Sequence, residues 1–223
     1  HVIYHSLHNY CTLDLSAFYL DILKDRLYTS PPKYLERRGA QTVMYIILDS
    51  IVRLMAPILA FTAEEIWQYM PDYPEKESSV HLASLPMPVA EWKNEALASK
   101  WIQLLDVRGE VRKALELARE EKLIGHPLDA AVILAASGDL FDLLQAYERE
   151  LRAILIVSAV KLVQDEAADL AYKSDSMEGL SIGVQTAPGE KCERCWVYAT
   201  DIGSDSEHPT ICGRCLRSLA AIK

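Results

Sequence analysis

Two C-x-x-C pairs, Cys192/Cys195 and Cys212/Cys215, stand 16 residues apart near the end of the chain, and they constrain the fold more than any other feature. Two intervening residues let a tight turn aim both sulfurs of a pair at one point. A hairpin that brings two such turns face to face supplies four thiolates at the corners of a tetrahedron. That is the arrangement a structural Zn²⁺ prefers, at roughly 2.3 Å per Zn–S bond, and the spacing lies within the range of zinc sites. The expectation is one structural Zn²⁺ held by Cys192, Cys195, Cys212 and Cys215. Four thiolates leave no open coordination position, so this ion holds structure and does not catalyse. A tail this short has little core of its own, and metal binding supplies most of its folding energy. Two rivals fit less well. Disulfides need an oxidising compartment, and the opening HVIYHSLHNY has no signal-peptide pattern. An iron–sulfur cluster also accepts four thiolates, but paired knuckles on one short ribbon favour a single ion.

Residues around the pairs carry further expectations. Gly213 suits its turn because glycine tolerates positive φ. Arg194 and Arg214 each precede the second cysteine of a pair. They either contact phosphate or offset the −2 charge of a zinc tetrathiolate. Trp196 follows the first knuckle and either covers the ribbon's small core or offers a face for base stacking; the core is the leaning. His208 is expected in a loop. Cys11, alone in a helical pattern, is expected to pack as a buried or half-buried thiol.

The rest of the 223-residue chain reads as globular, with 50% hydrophobic and 25% charged residues. No apolar run approaches the ~20 residues of a membrane-spanning helix, which points away from a membrane. The chain lacks an initiator Met, and a fragment of a longer protein is expected. LDLSAFYLDILKDRLYT places Leu15, Phe18, Tyr19, Ile22, Leu23 and Leu27 at helical spacing, and Ser30-Pro31-Pro32 stops that helix. A second helix is predicted over 40–55, burying Val43, Ile46, Ile47, Ile51, Leu54 and Met55. Thr62 and Glu65 read as a capping box opening a third helix. Residues 71–92 read as a connector. A long helix is predicted over 96–120, with Leu97, Trp101, Leu104, Leu105, Arg108, Val111, Leu115 and Ala118 on one face. Strands are predicted over 130–137, 153–163 and 180–187, with a helix over 139–149. The fold class expected is α+β, mainly α: a helical bundle over 1–90, a small α/β junction domain over 91–188 and a four-cysteine zinc ribbon over 189–223.

The net charge of −9 argues against a nucleic-acid partner until its distribution is read. Between Lys24 and Arg53 lie six basic residues (Lys24, Arg26, Lys33, Arg37, Arg38, Arg53) and three acidic ones. Residues 191–223 carry five basic and four acidic side chains. Local charge, not the total, governs phosphate binding. No Walker sequence, dinucleotide fingerprint or H-E-x-x-H occurs. Glu64-Glu65 and Glu120-Glu121 read as helix surface, since adjacent helical residues do not face each other.

The tail K-C-E-R-C-W followed by C-G-R-C resembles the C-terminal zinc segment of bacterial-type isoleucyl-tRNA synthetases. DLSAFYLDILKDRLYT with RRGAQTVMY, LMAPILAFTAEEIWQ, and VRGEVRKALELAREEKLIGHPLDAAVIL resemble that family's anticodon-binding helices and junction region, in the same order. The resemblance implies a part that binds the anticodon region of tRNA(Ile) in the cytoplasm. Catalytic and editing domains elsewhere in the parent chain would attach isoleucine using ATP. HIGH-like and KMSKS-like motifs do not occur here, so no catalysis by this segment is expected. The candidate RNA contacts are Lys33, Arg37, Arg38 and Arg53 on the helices, and Arg194, Trp196, Arg214 and Arg217 on the ribbon. Two rivals remain. Formamidopyrimidine-DNA glycosylases end in a similar ribbon, but they need an N-terminal catalytic proline and acid where this chain has His1-Val2-Ile3. A zinc-stabilised protein-interaction module is the other.

Overall fold

The computed structural model describes residues 1–165 and 170–222. The fold is mainly helical with a small mixed sheet and a two-stranded ribbon. Helical segments run Val2–Asn9 (α1), Tyr10–Tyr19 (a π-helical stretch), Leu20–Thr29 (α2), Leu35–Met55 (α3) and Ala60–Tyr69 (α4). They are followed by Glu95–Glu120 (α5), Ala130–Ala136 (β1), Gly138–Ala146 (α6), Glu148–Leu155 (α7) and Ala159–Gln164 (β2). The remainder are Tyr172–Lys173 (β3), Ser181–Thr186 (β4), Glu190–Lys191 (β5), Tyr198–Ala199 (β6) and Gly213–Ala220 (α8). Two compact units result. One comprises His1–Asp21 with Pro32–Lys93; the other comprises Ile22–Pro31 with the chain from Asn94 onward.

In the first unit, α3 packs on α4 around Val52, Ala56, Ala63, Trp67, Met70 and Val80. This is not the α3 face predicted from the sequence: Val43 and Leu54 are exposed, and Ile46, Ile47, Ile51 and Met55 are only half-buried. α3 carries apolar residues on more than one side, so periodicity alone leaves its buried face undecided. The predicted capping box also does not form. α4 begins at Ala60, which leaves Thr62 inside its first turn, and its N-cap Leu59 supplies no side-chain bond. Glu64 instead pins the connector along α4. Its carboxylate accepts from Ser79 Oγ (2.8 Å), the Val80 amide (3.0 Å) and Gln68 Nε2 (2.7 Å). The Trp67 indole donates to the Glu77 carbonyl at 2.8 Å.

In the second unit the sheet order is β2-β1-β4-β3. β1 runs parallel to β2 (Ala131↔Ala159 to Ala136↔Gln164), and α6 and α7 make the crossover that a parallel pair requires. β4 is antiparallel to β1 and β3. β1 is the central strand and is buried at every residue but Ile133, which is half-buried. α5 buries Leu104, Val107, Val111, Ala114, Leu115 and Ala118 in the same core, while Leu97 and Leu105 of the predicted face are exposed. The strand predicted over 153–163 begins six residues late. Glu148–Leu155 buries Leu151, Ile154 and Leu155 at helical spacing, and the turn follows at Ile156, whose φ is +57.

Two polar ties cross this core. Arg108 Nε donates to the Ile154 carbonyl at 3.0 Å. Glu110, buried on α5, accepts from Lys113 Nζ (2.6 Å), Ser174 Oγ (2.6 Å) and Tyr172 OH (2.8 Å), which fastens the edge strand β3 to the helix. The Lys113 and Ser174 bonds, joined by Tyr172 and opposed by burial, pull the Glu110 carboxyl down to about 2.

Candidate functional site

The ribbon begins with β5 pairing β6, Glu190↔Ala199 and Lys191↔Tyr198, and the first cysteine pair lies in the loop between them. The second pair is placed differently from the expected hairpin turn. Cys212 is the N-cap of α8 and Cys215 lies in its first turn, so a helix start aims these two sulfurs. Asp201 Oδ2 accepts from the Gly213 amide at 3.0 Å, an anion on a helix N-terminus. A Cβ on Gly213 would stand 2.5 Å from that oxygen. A side chain at Gly213 would push the Asp201 carboxylate off the helix start; the Gly213 φ is not positive, which corrects the reason given by the sequence.

All four sulfurs lie within 4.8 Å of one another. Cys192 Sγ is 3.9 Å from Cys215 Sγ, and Cys195 Sγ is 3.8 Å from Cys212 Sγ. A regular tetrahedron with Zn–S bonds of roughly 2.3 Å has S···S edges of about 3.8 Å. The donor set therefore fits one tetrahedral ion. Cys192, Cys212 and Cys215 are buried, with Ile211 beside them and Ile202, Leu216 and Leu219 packed around. The Cys212 amide donates to Cys192 Sγ at 3.3 Å. Against the burial that pushes the Cys192 thiol up, the Cys195, Cys212 and Arg194 amides bring it down to about 6. Burial pushes the Cys195 and Cys215 thiols up instead, so a cation binding there must displace their protons. Four cysteine ligands close the coordination shell, and the zinc they hold is structural.

The eight expected RNA contacts fall in two sets. Lys33, Arg37, Arg38 and Arg53 belong to the first unit, and Arg194, Trp196, Arg214 and Arg217 to the second. Lys33 and Arg38 are exposed and Arg37 is half-buried, around the start of α3. The N-cap Tyr34 makes no side-chain bond there. Arg53 is tied down: it pairs with Asp49 and donates from Nη1 to the Ser84 carbonyl at 3.0 Å. Trp196 is 61% exposed, so it does not cover the ribbon core as the sequence leaning had it; Lys191 Nζ lies 5.6 Å from its ring centroid. Arg217 is exposed on α8. Arg194 and Arg214 have partners on α2. Arg194 Nη1 donates to the Thr29 carbonyl at 2.9 Å, and Arg214 forks onto the Asp25 carboxylate at 2.5 and 2.7 Å. Asp25 and Thr29 carried no signal in the sequence, since a lone Asp between Lys24 and Arg26 looks like helix surface.

A helical unit joined in one chain to an α/β unit that carries a tetrathiolate site defines a class of protein with a structural zinc ribbon. Comparison with known families agrees. Residues 1–134 match the anticodon-binding domain of tRNA ligases, and residues 189–217 match a zinc finger found in FPG and IleRS. The chain belongs to the tRNA-ligase anticodon-binding family. It is 54% identical over 223 residues, its whole length, to the isoleucine–tRNA ligase of Geobacter sulfurreducens. It is 50% identical over 220 residues (98% of the chain) to that of Syntrophotalea carbinolica, and 49% over 216 (96%) to that of Desulforamulus reducens. It spans 23% of the length of each of these relatives. The zinc-finger match alone is shared with the DNA glycosylases; the match over 1–134 is to tRNA ligases, and the repair reading is not favoured.

Proposed function

We propose that this chain is the part of an isoleucine–tRNA ligase that binds the anticodon region of tRNA(Ile). The complete enzyme attaches isoleucine to that tRNA with ATP in the cytoplasm, through catalytic and editing domains elsewhere in the parent chain. The observation that carries the reading is identity of about one residue in two to isoleucine–tRNA ligases along essentially the whole chain. Among the described residues no helix is long and apolar enough to cross a membrane.

The start of α3 supports a role in phosphate contact. The first amides of a helix have no intrahelical acceptor, and the helix dipole adds partial positive charge there. Basic side chains in a first turn oppose that dipole, and Lys33, Arg37 and Arg38 outnumber the one acidic residue of that turn, Glu36. An RNA backbone phosphate resolves the conflict, since amides and cations then share one anion. Trp196, exposed at a positive φ of +65, offers a ring for an unstacked base, with Lys191 beside it, and exposed Arg217 on α8 adds a cation to the ribbon. Arg53, Arg194 and Arg214 complete the proposed set, although each already has an intramolecular partner.

A gel-shift titration with tRNA(Ile) and an anticodon-swapped variant, over a range of salt, tests the reading. Tighter binding of tRNA(Ile) is expected, and equal binding of both tRNAs would favour the interaction-module reading. Arg37→Ala with Arg38→Ala should weaken binding by about 1–3 kcal/mol and flatten the salt dependence. An unchanged salt slope removes these two residues from the interface.

A further inference from the structure

Each cysteine pair of the ribbon encloses one arginine, and both arginines reach the same short stretch of chain far away in sequence. Arg194, between Cys192 and Cys195, donates to the Thr29 carbonyl at 2.9 Å. Arg214, between Cys212 and Cys215, makes a two-pronged bond to Asp25 at 2.5 and 2.7 Å. Both acceptors lie on the last turns of α2, and both contacts fall within the second unit. Thr29 ends its helix before Pro31 and Pro32, which have no amide to offer its orphan carbonyls. Thr29 Oγ donates to the Asp25 carbonyl and lies 3.2 Å from Asp25 Oδ1, which steadies the carboxylate. Arg152 of α7 stands 3.7 Å from the same carboxylate.

We infer that Arg194 and Arg214 are positioning residues that couple the zinc site to α2, so that metal loading docks residues 22–31 onto the ribbon. Both arginines are set between two ligands of one ion, so the tetrahedron fixes the separation and direction of the two side chains. Loading releases the thiol protons to solvent and leaves one Zn²⁺ with four thiolates, net −2. Each guanidinium belongs to the residue directly before a ligand cysteine, Arg194 before Cys195 and Arg214 before Cys215, so that anion forms beside both. Each arginine then links a ligand-bearing segment of the ribbon to α2. Without the ion the two knuckles lose their common centre, and the fork on Asp25 and the bond to Thr29 no longer hold one geometry. Linkage makes the coupling reciprocal: what loosens α2 must weaken zinc binding. This inference rests on the metal site and α2 alone, and it stands or falls independently of RNA binding.

The test uses the whole chain and two readouts, neither of them enzymatic. Zinc affinity is measured by competition with a chromogenic chelator for the unaltered chain, Asp25→Asn, Arg214→Gln and the double variant. Each single change should lower affinity about tenfold, the low end for partners that orient ligands, and the double should be no worse than either single. Full additivity, or no change in Asp25→Asn, overturns the inference. Amide exchange is then compared with and without chelator. Loss of protection at residues 22–31 while β1 and α5 stay protected is expected. Unchanged protection at 22–31, or its loss across the whole unit together, overturns it.

Discussion

Gly189 opens the ribbon at φ +88, where an added Cβ would lie 2.2 Å from the Ala199 carbonyl oxygen, a backbone atom that cannot swing aside. Gly189→Ala therefore strains the φ and parts β5 from β6, at about 1–3 kcal/mol. A lower melting midpoint and weaker zinc retention should follow; an unaltered melt would show that the strand pair yields cheaply. Trp67 gives a contrast in the other unit. It is 1% exposed and donates to the Glu77 carbonyl, so it both fills the α3–α4 core and pins the connector. Trp67→Ala should cost about 3–5 kcal/mol in urea denaturation. Trp67→Phe keeps most of the volume but strands the carbonyl, and should cost about 1–3 kcal/mol. A negligible cost for Trp67→Phe would mean the indole bond contributes nothing.

At the level of elements, the ribbon and the edge strand β3 are both too short to fold by propensity. β3, β5 and β6 have two residues each, far below the three or more strands with an apolar face that stand alone. The ribbon relies on its metal. Elemental analysis should find one zinc per chain, and Cys212→Ser should lose most of it together with the α8 contribution to far-ultraviolet circular dichroism. A zinc-free chain with α8 intact would end that account. β3 relies on Glu110, which collects Tyr172 and Ser174 at 2.8 and 2.6 Å. The same residue type on a helix surface would be mere solvation; here the burial of its neighbours on α5 places it against the sheet.

At the scale of the whole molecule, Glu110 makes stability depend on acid. Its carboxyl sits at about 2 in the folded chain against an ordinary 4.5. A depressed carboxylate contributes fully above the unfolded value and loses that contribution as pH falls through the folded one. Stability should therefore decline between pH 4.5 and about 2. Glu110→Gln should lower stability near pH 7 and flatten the decline through this window, read from urea midpoints at a series of pH values. Asp25 acts in the same sense. Against burial, which pushes it up, the Arg214 bonds and the Arg152 charge hold its carboxyl below the usual range. An acid limb equally steep in Glu110→Gln would assign it to other carboxylates.

By itself the sequence determined whatever depends on neighbours a few residues apart. Two C-x-x-C pairs signal a tetrathiolate because the spacing within each pair is local, although only the fold set the second pair on a helix start. Pro31 and Pro32 end α2 because a missing amide is local, and the period of α5 places it within a residue of Glu95–Glu120. Tertiary structure decided which apolar side of α3 meets α4, because a helix apolar on several faces has no unique buried face until a partner selects one. It also decided that ILIV at 154–157 divides between a helix end and a turn, because an unbroken apolar run carries no period. The partners of Arg194 and Arg214 lie 165 and 189 residues away, one of them a backbone carbonyl. No spacing rule reaches that distance, and a carbonyl has no side-chain signature. Only the folded chain brings those atoms within 3 Å and turns two charges expected to meet phosphate or offset thiolates into a tie between the zinc ribbon and α2.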